Sequence, residues 1–307
     1  MVSHKGDSNK FMNKLYLKKP LTFALAIVVL AAVLATVFGM SAANVAYATD
    51  VQDDVIYYGE DLQYSDSYDN TQSETEYINY ATKQSTYKSI NETFPLYYNL
   101  NSNLTNCCAN VAGANIVGYY DRFYEELIPN CTPGFVRNNV YTYYPISMNR
   151  TERQAVIDAL YVNMLTNNPN AGTSQANYEN GLKKYINNNG QSVSYTSVMT
   201  NGKLDLNKVN AQFDQGNPIS LYTQGFNVSS VAATSDTQTR LVKVIFSTNH
   251  IMVAYGYLKE DYYDANGSLI TSKIYMFVAS GIQGLVSNYY IVDNNGILND
   301  AEAVRVY

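Results

Sequence analysis

The chain has little of what usually builds metal centres, disulfide frameworks and acid–base sites. Its 307 residues include only three cysteines and two histidines. Three cysteines do not make a dense disulfide scaffold, and no Cys-x-x-Cys spacing offers a zinc ribbon. Cys131 either bridges to Cys107 or stays unpaired. One of the two histidines, His4, precedes a long apolar run, so any imidazole base in the body of the chain is His250. A single histidine also removes most histidine-based metal sites. No glycine-rich phosphate loop and no fixed-period repeat occurs, and neither a nucleotide nor a metal cofactor is implied.

What is present begins with an export signature. Lys5, Lys10, Lys14, Lys18 and Lys19 lead into an uncharged apolar stretch over residues 21–40, followed by Ala46-Tyr47-Ala48, a small-x-small cleavage pattern. Residues 1–48 are expected to be a signal peptide, which places the remainder outside the cell. The 20-residue apolar run is also long enough to remain as a membrane anchor. Beyond residue 48 the chain carries a net charge of −10, which disfavours nucleic acid and anionic membranes as partners.

Residues 49–93 hold ten acidic residues and two lysines. The stretch shows no sustained helix or strand period and reads as an acidic spacer or propeptide, with extended chain draped on the domain as the alternative. A domain of normal composition is expected over 94–307. Its first half has helical spacing: a run opening at Cys107-Cys108, with Val111, Ile116, Tyr119, Tyr120 and Phe123 in register, then helices within 149–167, 174–190 and 205–216. Ser174 is a candidate N-cap. The run Ala109, Ala112, Gly113, Ala114 suits a central helix closely packed by other backbone. After Gly216 the pattern turns to strands near 218–224, 240–248, 250–258, 272–280, 287–294 and 303–307, with Asn266-Gly267 as a hairpin turn. The expected fold class is α+β, with a helical first half packed on an antiparallel sheet.

Two adjacent cysteines seldom form a disulfide with each other. A cysteine at a helix N-terminus has another use, because the helix end favours the thiolate. Paired with His250, Cys108 has the elements of a thiol nucleophile and its base. The stretch Asn106-Cys107-Cys108-Ala109 through Asp121 resembles the nucleophile helix of secreted papain-like cysteine peptidases of the C39-like group. The likeness covers roughly 94–307. Asn115, Gly118, Tyr119, Tyr120 and Asp121 fall on their counterparts, and Gly216-Asn217-Pro218-Ile219 and His250 through Tyr257 resemble the two later strand motifs. The resemblance implies a papain-like fold and an exported cysteine peptidase acting on peptides or proteins, with Cys108 as nucleophile and His250 as base. The group's Pro-Thr after the nucleophile is Asn110-Val111 here. At the third catalytic position, where an Asn or Asp orients the imidazole, the alignment puts Ser280, with Asp293 or Asn294 as substitutes. No Gln precedes the cysteine as an oxyanion donor, which leaves Asn99, Asn101 or Asn103. The alternative readings are a catalytically weak or inactive module binding a peptide in the same cleft, and acyl transfer to an amine.

Overall fold

The computed structural model describes residues 55–59, 71–91, 93–129, 134–137, 140–143, 150–282, 288–291 and 297–307. Cys131, Asp293 and Asn294 lie outside these residues, as does the apolar run over 21–40. Among the described residues no helix is long and apolar enough to cross a membrane.

In chain order the strands are β1 (Tyr57–Tyr58), β2 (Thr71–Asn79), β3 (Thr82–Ser89), β4 (Gly134–Arg137), β5 (Val140–Tyr143), β6 (Thr173–Ser174), β7 (Val193–Ser197), β8 (Met199–Thr200), β9 (Lys203–Leu204), β10 (Ile219–Ser235), β11 (Gln238–Tyr263), β12 (Leu269–Ala279), β13 (Asn288–Ile291) and β14 (Ile297–Val306). The helices are α1 (Cys108–Tyr120), α2 (Arg150–Asn163), α3 (Gln175–Asn188) and α4 (Leu206–Asp214). The molecule is therefore mixed α and β, with helices mostly before residue 216 and a large antiparallel sheet mostly after it.

Helix α1 is central. Every one of its residues is buried, so it is enclosed on all sides instead of presenting one apolar stripe. Its small residues permit this. A Cβ on Gly113 would stand 2.8 Å from Met164 Cε, and one on Gly118 would stand 2.5 Å from the Tyr97 hydroxyl. Two buried amides fix its position. Asn110 Nδ2 donates to Thr166 Oγ1 at 2.9 Å. Asn115 accepts from the Tyr97 N–H at 2.8 Å and donates to the Val111 carbonyl at 3.0 Å. Helix α3 starts as its sequence suggests, with Ser174 Oγ accepting from the Asn177 N–H, and Asp205 caps α4 in the same way.

The sheet is organised around the 26-residue strand β11. Strand β10 pairs along its first half and β12 along its second. Strands β2 and β3 pair with the same two halves. Because β10 and β12 both pair with Val253–Ala254, they lie on opposite sides of β11. One side of β11 thus carries β10 then β3, and the other carries β2 then β12. On the second side β2 ends opposite Phe246 and β12 begins opposite Val253, so residues 247–252 have no partner strand there among the described pairings. His250 sits in this gap.

The acidic stretch differs from its sequence expectation here. Residues 71–89, read as part of a spacer without strand period, form β2 and β3 within the sheet. Their side chains are largely exposed, which removes the alternation that would have revealed them. The antiparallel ladders to β11 hold them in place, and ion pairs accompany them. Glu74 faces Lys243 at 3.7 Å, Glu76 meets Lys273 at 3.1 Å, and Lys83 meets Glu260 at 2.5 Å.

Candidate active site

Cys108 is the first residue of α1, and Cys107 is its N-cap, contributing no side-chain cap bond. The first turn holds no acidic residue, so no carboxylate on the helix offsets its positive end. The chain enters α1 through Asn106, whose φ of 56° turns the backbone sharply into the helix. Asn106 is anchored by its amide, which donates to Asn167 Oδ1 at 2.8 Å. Cys108 is 4% exposed.

His250 lies on β11 opposite Thr223 of β10. Just beyond that pair the ladder is irregular: Gln224 faces Asn249, but Phe226 faces Phe246. Gly225, with φ of 69°, makes the bulge. Bulges re-aim side chains, and this one stacks Phe226 on the His250 ring, with centroids 4.3 Å apart. The imidazole is 1% exposed.

The ring nitrogens of His250 have different surroundings. Nε2 lies 2.7 Å from the backbone carbonyl oxygen of Ser280. A carbonyl only accepts, so Nε2 carries the hydrogen and the neutral ring has its lone pair on Nδ1. Nδ1 is buried and has no hydrogen-bond partner. Burial pulls the His250 pKa down to about 4, against a smaller upward effect from the Ser280 bond. The folded protein therefore holds a neutral imidazole at pH 7, with the Nδ1 lone pair buried and unpaired.

Ser280 reaches the histidine through its main chain, whereas the alignment gives the orienting role to its side chain. Its hydroxyl instead accepts from the Ile282 N–H at 3.2 Å. The carbonyl is free to turn inward because β12 ends at Ala279 and Gly281 follows with φ of 76°. A Cβ on Gly281 would stand 3.0 Å from Val111 Cγ1, one helical turn beyond Cys108. The Ser280–Gly281 corner therefore touches both His250 and the nucleophile helix.

Of the suggested oxyanion residues, Asn99 has its side-chain donor engaged, and all three take part in local turns. Asn99 and Asn101 form successive turns, Asn99 Oδ1 accepting from the Asn101 N–H and Asn101 Oδ1 from the Asn103 N–H. The Asn99 amide donates to the Asn101 carbonyl at 2.9 Å.

Residues that the sequence did not single out form a further set of contacts starting from the neighbour of His250. Asn249, next to His250, donates from Nδ2 to the Tyr57 carbonyl at 2.9 Å. Tyr58 is buried, and burial raises the pKa of its hydroxyl. Asn299 Nδ2 donates to its hydroxyl at 3.3 Å. Asn299 is the extra residue of an irregularity in the β10–β14 ladder, where Tyr222 faces Asp300 but Thr223 faces Leu298. The one available sequence signal for this segment was the apolar run Val55 to Tyr58, an island in an otherwise acidic stretch.

No family model matches the chain, and no curated protein matches it. Among solved structures, it is similar to the active wild-type interpain A cysteine protease of Prevotella intermedia. That match has 15% identity and a TM-score of 0.33, and covers 74% of this chain and 96% of that one. The case for chemistry rests on this chain's own residues.

Proposed function

We propose that the chain is an exported, papain-like cysteine peptidase with Cys108 as nucleophile and His250 as its base. The observation that carries this reading is the buried, unpartnered Nδ1 of a histidine whose other nitrogen is held as a donor by the Ser280 carbonyl. In the proposed cycle Nδ1 takes the Cys108 thiol proton and the thiolate attacks the scissile carbonyl carbon. The protonated Nδ1 then donates to the departing amine as the C–N bond breaks. Water, deprotonated by the same nitrogen, hydrolyses the thioester and regenerates the thiol. The open positive end of α1 supports both the thiolate and the oxyanion.

The near-complete burial of both residues supports a second reading, a peptidase-like module that binds peptides without cleaving them. One experiment separates the two. Iodoacetamide labelling of the full chain is followed against pH, with site assignment by mass spectrometry, beside Cys108→Ala and His250→Ala and with a casein hydrolysis assay. Casein hydrolysis abolished in both variants, with Cys108 labelling slowed at least tenfold in His250→Ala, supports the peptidase. Labelling only above about pH 8, at the rate of an ordinary thiol and indifferent to His250, overturns it.

A further inference from the structure

Buried polar atoms without a hydrogen-bond partner are rare, and each calls for a reason. Among the described residues, two of them fall within three consecutive positions of β11: His250 Nδ1 and Thr248 Oγ1. The first is the base of the proposed cycle. The second belongs to a residue outside the dyad. Thr248 is set in place by the irregularity opposite Gly225. Gln224 faces Asn249 and Phe226 faces Phe246, so Ser247 and Thr248 together oppose the single Gly225. Two residues against one is the geometry of a bulge, which bends a strand and re-aims its side chains. On the other side of β11 no described strand pairs with residues 247–252.

Thr248 and His250 are two positions apart, so their side chains share a face of β11. Phe226 covers the ring there, stacking on His250 at 4.3 Å and on Phe246 at 4.5 Å between centroids. Packing alone does not call for a threonine. Valine has the same shape, suits a strand as well, and would leave no buried hydroxyl unmatched. The hydroxyl and Nδ1 have a common use if one small polar molecule bonds both. Residues two apart along a strand are separated by about 6.7 Å, and one water between two partners spans about 5.6 Å. Waters of this kind satisfy otherwise unmatched buried groups.

We propose that Thr248 is a positioning residue for hydrolysis: with His250 Nδ1 it holds the water that attacks the Cys108 thioester. This rests on the Cys108–His250 peptidase reading. Once the amine has left, Sγ is bonded to the acyl carbon and Nδ1 is neutral again. The water donates one hydrogen to Nδ1 and the other to Thr248 Oγ1, which leaves its lone pairs for the carbonyl carbon. As the O–C bond forms, Nδ1 takes the first hydrogen as a proton. The C–S bond then breaks, the acid departs and the proton returns to Sγ. Acylation, in which Nδ1 takes the thiol proton directly, makes no use of Thr248.

The test uses p-nitrophenyl acetate on the full chain. The burst of p-nitrophenol reports acetylation of Cys108, and the steady rate after it reports hydrolysis of the thioester. Thr248→Val is expected to keep the burst rate within about threefold and to lower the steady rate at least tenfold, with acetyl-Cys108 accumulating by mass spectrometry. Thr248→Ser should restore the steady rate. The urea midpoint of Thr248→Val should equal or exceed that of the unaltered chain. An unchanged steady rate in Thr248→Val overturns the proposal, and so does an equal fall of burst and steady rate, which a displaced His250 would give. A second measurement does not depend on turnover. In Cys108→Ala at pH 7, adding Thr248→Val should move the His250 Nδ1 nitrogen resonance towards that of an unbonded ring nitrogen; no movement overturns the bridge. If the unaltered chain never forms acetyl-Cys108, the peptidase reading fails and the hydrolytic role of Thr248 fails with it. The resonance then decides the bridge alone.

Discussion

The Nε2 of His250 and the carbonyl oxygen of Ser280 are 2.7 Å apart, and this bond is made by main chain where the alignment pointed to a side chain. It follows that the serine hydroxyl is dispensable for orienting the ring. Ser280→Ala should keep hydrolysis and Cys108 labelling within about threefold of the unaltered protein, because the lost Oγ bond goes to the Ile282 N–H. A loss of a hundredfold would assign the hydroxyl the orienting role after all.

Gly281 should be the sensitive neighbour. Its φ of 76° costs an alanine about 1–2 kcal/mol, and the added Cβ meets Val111 Cγ1 at 3.0 Å. Gly281→Ala should lower stability modestly and slow Cys108 labelling at least tenfold, by moving the Ser280 carbonyl off His250. Chemical denaturation measured beside labelling separates the two effects.

The buried imidazole makes the protein acid-sensitive. Its pKa in the folded protein is about 4, below the unfolded value of 6.5. Between these values the unfolded chain binds more protons, so stability falls as pH drops from 6.5 towards 4 and the loss is complete below 4. The displacement corresponds to about 3 kcal/mol. His250→Gln should flatten this part of the urea midpoint against pH curve.

Asp121 works in the opposite direction. It ends α1 with Oδ1 accepting from the Ile128 N–H at 3.0 Å, while Oδ2 is buried without a partner. Burial pushes its pKa up to about 8, only partly offset by the Ile128 bond. A raised folded pKa gives stability that is fully present below the unfolded value and lost as pH rises through about 8. Asp121→Asn keeps the acceptor and removes the charge. It should be more stable than the unaltered protein at pH 9, by roughly 2–4 kcal/mol, and nearly equal to it at pH 4.

Much of this architecture was legible in the sequence. The α1 run, the Ser174 cap and the Asn266-Gly267 turn follow from local rules, and the helix-then-sheet order follows from the change of period after Gly216. Other features were hidden for identifiable reasons. Strands 240–248 and 250–258 read as two because Thr248-Asn249 looks like a break; they are one strand, since the irregularity is absorbed by a bulge opposite Gly225. The outer half of β10 was missed because its Ser, Ala and Thr side chains are mostly exposed and carry no apolar alternation. In the site, Cys108 and His250 stood out by residue type and order. The Ser280 carbonyl and the Asn249 and Asn299 contacts depend on ladder irregularities and turns that bring distant backbone together, and no short pattern encodes them.

The pairing of β2 and β3 with the two halves of β11 decides what a cut in the acidic region would do. A cut that removed everything before Phe94 would strip both strands and leave long stretches of hydrogen-bonding backbone bare on opposite sides of β11, an invitation to aggregate. A cut that frees β1 and spares the sheet has to fall after Gly59 and before Thr71, a stretch that carries Glu60, Asp61, Asp66 and Asp69. The acidic region then has two separate attachments: its first part joins the molecule through the two-residue pairing with β6, and its second part hems the sheet along β11.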